Sequence, residues 1–244
     1  MNMKIGLVQY RYINNDIAFN LSQIEKAMIS SRNKADLLCF GETFLQGFDA
    51  LNWSFENDKN IAVTQDSEII QRLREMTVRY GIDLLFGYIE RDGESLYSSC
   101  MVIEKGRILH NYRRVSIGWK EHSITDDHYR EGTEITPFVY HDRKILLALC
   151  GDLWEYPERF RTDALMIWPV YVDFTIEEWL EEFEQEYPKQ ALLAAEETLM
   201  INSVTDFPKA VGGTFHMKNG RIIAKLPYDT EDILYVTIRD PSHS

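Results

Sequence analysis

The sequence predicts a single α/β domain in which mixed β-sheet is covered by helix layers. Three observations carry that expectation. Short apolar runs alternate with helical periodicities through the first half of the chain, each helical segment is apolar on one face only, and Lys105-Gly106 and Asn219-Gly220 mark antiparallel hairpins. The 244 residues, 45% apolar and 27% charged, have the balance of an ordinary folded protein. A boundary between two smaller domains would fall in the polar stretch 116–134. The strand pattern resumes after it without a change in composition, so one domain spanning 1–244 is expected.

Residues 4–9 read as a short buried strand, and 17–29 as a helix with Ile17, Leu21, Ile24 and Met28 on one face and Asn14 to Asp16 as its start signal. A second strand, 37–40, runs into Gly41-Glu42-Thr43. The segment 69–80 is a second helix closed by Gly81, and strand 83–88 follows. Segments 97–104 and 107–112 pair across Lys105-Gly106, where glycine supplies the positive φ of a tight turn. Beyond the irregular 116–134, the buried strand 144–149 ends directly on Cys150-Gly151-Asp152. Residues 157–161 read as a short helix, 164–168 as a strand, and 176–197 as a long, largely acidic helix interrupted or kinked at Pro188. Strands over 199–204, 212–216, 221–225 and 233–238 complete the chain.

Charge and apolar content exclude several functions. With 26 Lys and Arg against 39 Asp and Glu, the formal charge of -13 repels phosphate backbones and anionic lipid, so no nucleic-acid or membrane partner is expected. The longest mainly apolar stretch, 164–172, contains Pro169 and falls far short of the ~20 residues that span a bilayer. The first nine residues turn polar too soon for the apolar centre of a secretory signal, which predicts a cytoplasmic protein. Cys39, Cys100 and Cys150 lack paired spacing, and no CxxC or HExxH occurs. Neither disulfides nor a metal site are expected.

Reactive side chains tend to gather where strands end. Glu42 follows one apolar strand, and Cys150 follows another and precedes Gly151, whose small size allows a sharp turn and a backbone N–H aimed at a reacting oxygen. Alone, Glu42 reads as a solvated loop carboxylate and Cys150 as a core thiol, but two strand ends carry potentially reactive groups and neither stands alone. Cys39 and Cys100 lie inside apolar runs and read as packing. His110, His122, His128, His141 and His216 have no metal spacing, although one of them beside Cys150 would make a thiol–imidazole pair. The Glu177 to Glu186 acidic run reads as a solvated helix face.

Three segments resemble the signatures of the nitrilase, or carbon-nitrogen hydrolase, superfamily. They are Phe40-Gly41-Glu42-Thr43-Phe44-Leu45-Gln46-Gly47-Phe48, Asn111-Tyr112-Arg113-Arg114 and the run from Leu149 through Cys150-Gly151-Asp152 to Pro157-Glu158-Arg159-Phe160. Their order matches, with 72 positions from Glu42 to Arg114 and 36 more to Cys150. The resemblance implies a four-layer αββα sandwich that pairs into homodimers and needs no cofactor. It also implies a small-molecule amide or nitrile as substrate, attacked by a Glu-Lys-Cys triad. Cys150 then stands as nucleophile and Glu42 as general base. The family's lysine position holds Arg114, which keeps the charge in a longer, planar group and needs a recut pocket to hold an oxyanion. Lys120 is the alternative cation. Asp127, ahead of Glu121 and Asp126, is the candidate for a further acidic group. Phe48, Trp119, Gly151, Trp154 and Tyr171 are candidate substrate contacts, although aromatics also fill cores. The segment after Cys150 is shorter than the family's usual helix there. The rival reading is a catalytically silent member of the fold with a binding or assembly role, motivated by Arg114.

Overall fold

Along β1 (Met3–Gln9), Met3, Ile5 and Leu7 enter the core between two sheets, while Val8 joins a second cluster beneath helices. This alternation organises the molecule, whose computed structural model describes residues 2–239. The chain continues through α1 (Ile17–Ser30), β2 (Leu37–Cys39), α2 (Phe55–Asp58), α3 (Glu68–Tyr80), β3 (Asp83–Asp92), β4 (Ser95–Glu104) and β5 (Arg107–Arg113). Then come β6 (Phe138–Tyr140), β7 (Arg143–Leu147), α4 (Asp152–Glu155), β8 (Leu165–Val170), α5 (Ile176–Glu178) and α6 (Glu184–Leu192). The final strands are β9 (Glu197–Asn202), β10 (Val204–Asp206), β11 (Lys209–Val211), β12 (Phe215–Lys218), β13 (Arg221–Lys225) and β14 (Asp232–Ile238).

One six-stranded sheet has the order β14-β1-β2-β3-β4-β5 and the other β13-β12-β9-β8-β7-β6. In each, three parallel strands (β1, β2, β3 and β7, β8, β9) are flanked by antiparallel ones. Helices α1 and α3 cover the outer face of the first sheet through Leu21, Ile24, Met28, Ile70, Leu73 and Met76. Tyr187 and Ala191 of α6 pack with the second sheet. The result is the αββα sandwich. Cys39 and Cys100 are fully buried in the layer between the sheets, as packing residues.

The local signals act as their chemistry dictates. The Asp16 side chain accepts from Phe19 N–H at 2.9 Å to start α1, and Gly81 closes α3 at φ 67°. Lys105 and Gly106 (φ 47° and 78°) join β4 to β5, and Asn219 and Gly220 (φ 51° and 71°) join β12 to β13.

Elsewhere the structure corrects the expectation. The helix expected over 176–197 is α5, a π turn over Trp179–Phe183, and α6, which ends at Leu192. The π turn accompanies complete burial of Trp179, whose ring occupies the space where a side chain on Gly213 would stand. The strand expected at 212–216 starts only at Phe215, because Gly212 and Gly213 take φ of 85° and 122°. The short helix after Pro157 is a 3-10 turn, Pro157–Phe160. Short α2, β6, β10 and β11 carry too few residues for a periodicity to emerge.

Candidate active site

The site lies between the sheets where β2, β5, β7 and β8 end. After β2 the chain reaches Glu42 against β3, and Gly87 permits that approach: a Cβ there would stand 2.4 Å from Thr43 N and 2.7 Å from Glu42 Cα. Glu42 is completely buried. Its Oε1 accepts from Arg114 Nη1 at 3.0 Å and from Ser98 Oγ at 2.9 Å, while Oε2 has no hydrogen-bond partner among the described residues. Arg114, 3% exposed, also donates from Nε to Ser116 Oγ at 2.7 Å. No hydrogen bond from its Nη2 occurs among the described residues.

Strand alternation explains why neighbouring arginines serve different carboxylates. Arg114 and Ser98 face the inter-sheet layer and hold Glu42; Arg113 and Ser99 face the opposite side and hold Glu90. Arg113 grips Glu90 with two bonds, at 2.9 and 2.8 Å. Burial pushes the Glu90 pKa up, but the bonds from Arg113, Ser99 and Gln65 outweigh it and hold the group below the usual range.

Cys150 sits just past β7 at φ 40°, a left-handed conformation costing a non-glycine residue on the order of 1–2 kcal/mol. Three contacts hold it there. Its N–H donates to Pro169 O at 3.0 Å, its carbonyl accepts from Trp168 Nε1 at 2.9 Å, and its Sγ lies 3.6 Å from Tyr171 O. Asp152 braces the turn. One oxygen accepts from Val115 and Ser116 N–H (3.1 and 2.8 Å), the other from Tyr112 Oη and Leu149 N–H (2.6 and 2.8 Å). Asp152 thus ties the segment carrying Arg114 to the one carrying Cys150.

Cys150 is partly buried. Burial pushes the thiol up to about 12, the Glu42 charge adds to this, and Arg114 and the Tyr171 backbone pull it back. Arg114 would lose basicity through burial, but the charges of Glu42, Cys150 and Asp152 reverse that and raise it. A thiol, a buried carboxylate with one open oxygen and a cation with an open donor therefore converge, equipped for proton transfer and for holding an anion.

Of the remaining candidates, Gly151 and Tyr171 adjoin Arg114 and Cys150, and those of the 116–134 segment lie elsewhere. Lys120 Nζ is engaged by the Tyr129 carbonyl at 2.5 Å and by Glu131 at 2.8 Å. Asp127 and Glu121 are exposed, Asp126 pairs with His128, and none hydrogen-bonds to the Glu42–Arg114 pair. These residues are polar enough to look functional, but Lys120, Glu121, Asp126 and Asp127 bond to neighbours within 116–134. Trp119 is buried in a separate apolar cluster with Leu51 and Tyr129. Phe48 stacks on Tyr171 at 4.7 Å, and Trp154, 39% exposed, packs on Tyr187 at 5.0 Å. Gly151 abuts Arg114. The five candidate histidines bind or stack elsewhere: His110 on Phe138, His141 on Tyr140, His122 to Ile117 O, His128 to Asp126 and His216 to Glu197. Sequence reasoning missed Ser98, Ser116, Trp168 and Asp152. Asp152 stood in the cysteine motif itself, whereas Ser98 carries no local signal.

Comparison with known proteins gives the family and the fold. The profile of a family described as carbon-nitrogen hydrolase matches residues 4–205. A hydrolase encoded in the pqqF 5' region of Pseudomonas protegens is 32% identical over 168 residues, covering 67% of this chain and 55% of that protein. An (R)-stereoselective amidase from a Pseudomonas species is 27% identical over 162 residues, 66% of this chain and 56% of that one. A glutamine-dependent NAD(+) synthetase of Thermotoga maritima, 26% identical, is matched over only 26% of its length. The chain thus spans about half or less of these relatives. A CN-hydrolase superfamily protein from Xanthomonas campestris superposes with a TM-score of 0.80 at 16% identity, covering 99% of this chain and 92% of that one. An amidase from Nesterenkonia does so at 0.77 and 20%, covering 97% and 90%. At those identities the likeness concerns the fold.

Proposed function

Because the chain belongs to the carbon-nitrogen hydrolase family, we propose that it hydrolyses a small non-peptide amide through a thioester on Cys150, with nitriles as the second substrate class. The observation that carries this reading is the buried Glu42–Arg114 pair at 3.0 Å beside Cys150, with Glu42 Oε2 and Arg114 Nη2 free of protein partners among the described residues. A buried ion pair is a poor source of stability, so its retention calls for another use.

Cys150 Sγ attacks the amide carbon while its proton passes to Glu42 Oε2. The C=O electron pair moves onto oxygen, and that oxyanion lies against Arg114 Nη2. The intermediate collapses, the C–N bond breaks, and Glu42 returns the proton to the leaving amine. Water then adds to the thioester and gives Glu42 its proton; the C–S bond breaks, the acid departs, and the proton returns to sulfur. One variant of the Nesterenkonia amidase carries the acetamide moiety of fluoroacetamide covalently at its active-site cysteine; in our reading Cys150 occupies the same role.

The test is intact-mass analysis during incubation with a panel of small amides, nitriles and fluoroacetamide, with Cys150→Ala as control. A mass gain mapping to Cys150 together with release of ammonia or amine supports the reading. A parent that neither acylates nor turns over any member, while Arg114→Lys does, selects the silent scaffold instead.

A further inference from the structure

Gly151 presents an anomaly that the backbone does not explain. Its φ of -62° and ψ of -13° are ordinary right-handed helical values, which any L residue adopts, and it directly precedes α4. An alanine would suit that conformation better, since glycine only adds freedom to the unfolded chain. What excludes a side chain is the space. A Cβ on Gly151 would stand 2.5 Å from Arg114 Nη2 and 3.1 Å from Ser116 Oγ. A Cβ on Gly118 would stand 3.2 Å from the same Nη2, and both positions face Glu155 Oε1, at 3.4 and 3.6 Å. The outer nitrogen of Arg114 therefore lies in a slot between two glycines.

We infer that Gly151 is a positioning residue for Arg114: the missing Cβ is what leaves room for the guanidinium's outer nitrogen. The inference rests on the reading of Arg114 as the site cation. The guanidinium cannot yield cheaply, because Nη1 is fixed by Glu42 at 3.0 Å and Nε by Ser116 at 2.7 Å. The planar group turns as a unit, so displacing Nη2 breaks at least one of those bonds. A lysine at position 114 lacks the outer nitrogens and would leave the slot empty. Gly151 and residue 114 should therefore be coupled, whatever substrate the site takes.

The coupling is measured on four proteins: the parent, Gly151→Ala, Arg114→Lys and the double variant. The readout is the rate of Cys150 alkylation by iodoacetamide between pH 7 and 10, which follows the thiolate fraction and needs no substrate. In the parent background Gly151→Ala is expected to slow alkylation about tenfold or more at fixed pH, because the cation that favours the thiolate is pushed away. In the Arg114→Lys background the same change is expected to alter the rate less than twofold. Equal slowing in both backgrounds, or none in the parent background, overturns the inference. If Gly151→Ala alone fails to fold, folding of the double variant upholds the coupling, and failure of both overturns it. An inactive parent that still shows the background dependence defeats the hydrolase reading and leaves this one standing.

Discussion

Replacing Glu42 by glutamine should move the reactivity of Cys150 in two opposite directions. The amide oxygen can keep the bonds from Arg114 Nη1 and Ser98 Oγ, at 3.0 and 2.9 Å, while the NH2 group takes the place of the unpartnered Oε2. The negative charge that helps raise the thiol to about 12 is then gone, and Arg114, which pulls it down, remains. A unit charge about 4 Å away is worth about 4 kcal/mol at an effective dielectric of 20, or about three pKa units. A downward movement of at least one unit in the inflection of the alkylation profile is therefore expected. Amide turnover, in contrast, should fall by about 10²–10⁴-fold, the usual scale for a lost general base. Stopped-flow or timed iodoacetamide quench gives the first quantity, and ammonia release from the best amide of the panel gives the second. An inflection that moves upward, or turnover retained within threefold, would refute the assignment of Glu42 as the base.

Three further outcomes follow from the same geometry. Arg114→Ala should lower turnover about 100-fold or more, whereas Lys120→Ala, whose partners are Tyr129 O and Glu131, should leave it within threefold while lowering the melting temperature; steady-state rates and thermal denaturation check both. Asp152→Ala strips four hydrogen bonds from a buried carboxylate and should cost about 3–5 kcal/mol in urea unfolding. For Glu90 the folded-state pKa lies below its ordinary value, so the unfolded chain binds the proton first. The stability it contributes is present above the ordinary carboxylate range and is lost as pH falls through the folded pKa, so Glu90→Gln should flatten the fall of melting temperature on acidification below about pH 5.

The parts of the fold legible in the sequence are those fixed by local chemistry. The apolar runs at β1, β2, β7 and β8 and the faces of α1 and α3 were all visible, as were the glycine turns at Gly106 and Gly220. The interruption at Trp179 was not, because it depends on Gly213, distant in sequence but adjacent in space. The same division holds at the candidate site. Glu42 and Cys150 stood out because each ends an apolar run. Choosing between Arg114 and Lys120 required knowing which way each side chain leaves the backbone. Trp119 and Asp127 have the chemistry of site residues and lack the placement, since Trp119 packs in a separate apolar cluster and Asp127 is exposed, its carbonyl bonded by Arg130.

The twin doublets Ser98-Ser99 and Arg113-Arg114 have a consequence for how this region tolerates insertion and deletion. Each doublet sends one member to Glu42 and the other to Glu90, and only the parity of the strand says which. Deleting one residue from β5 would leave the two charges and their count untouched yet exchange their addresses. The outward-facing arginine would then start from the position Arg113 vacated, while the inward-facing one would start two steps, ~7 Å, short of where Arg114 stands. Deleting two residues would restore the addresses and shorten the reach. Between Arg107 and Arg114 the chain therefore behaves like a reading frame of period two, in which substitutions are local events and single-residue length changes are not.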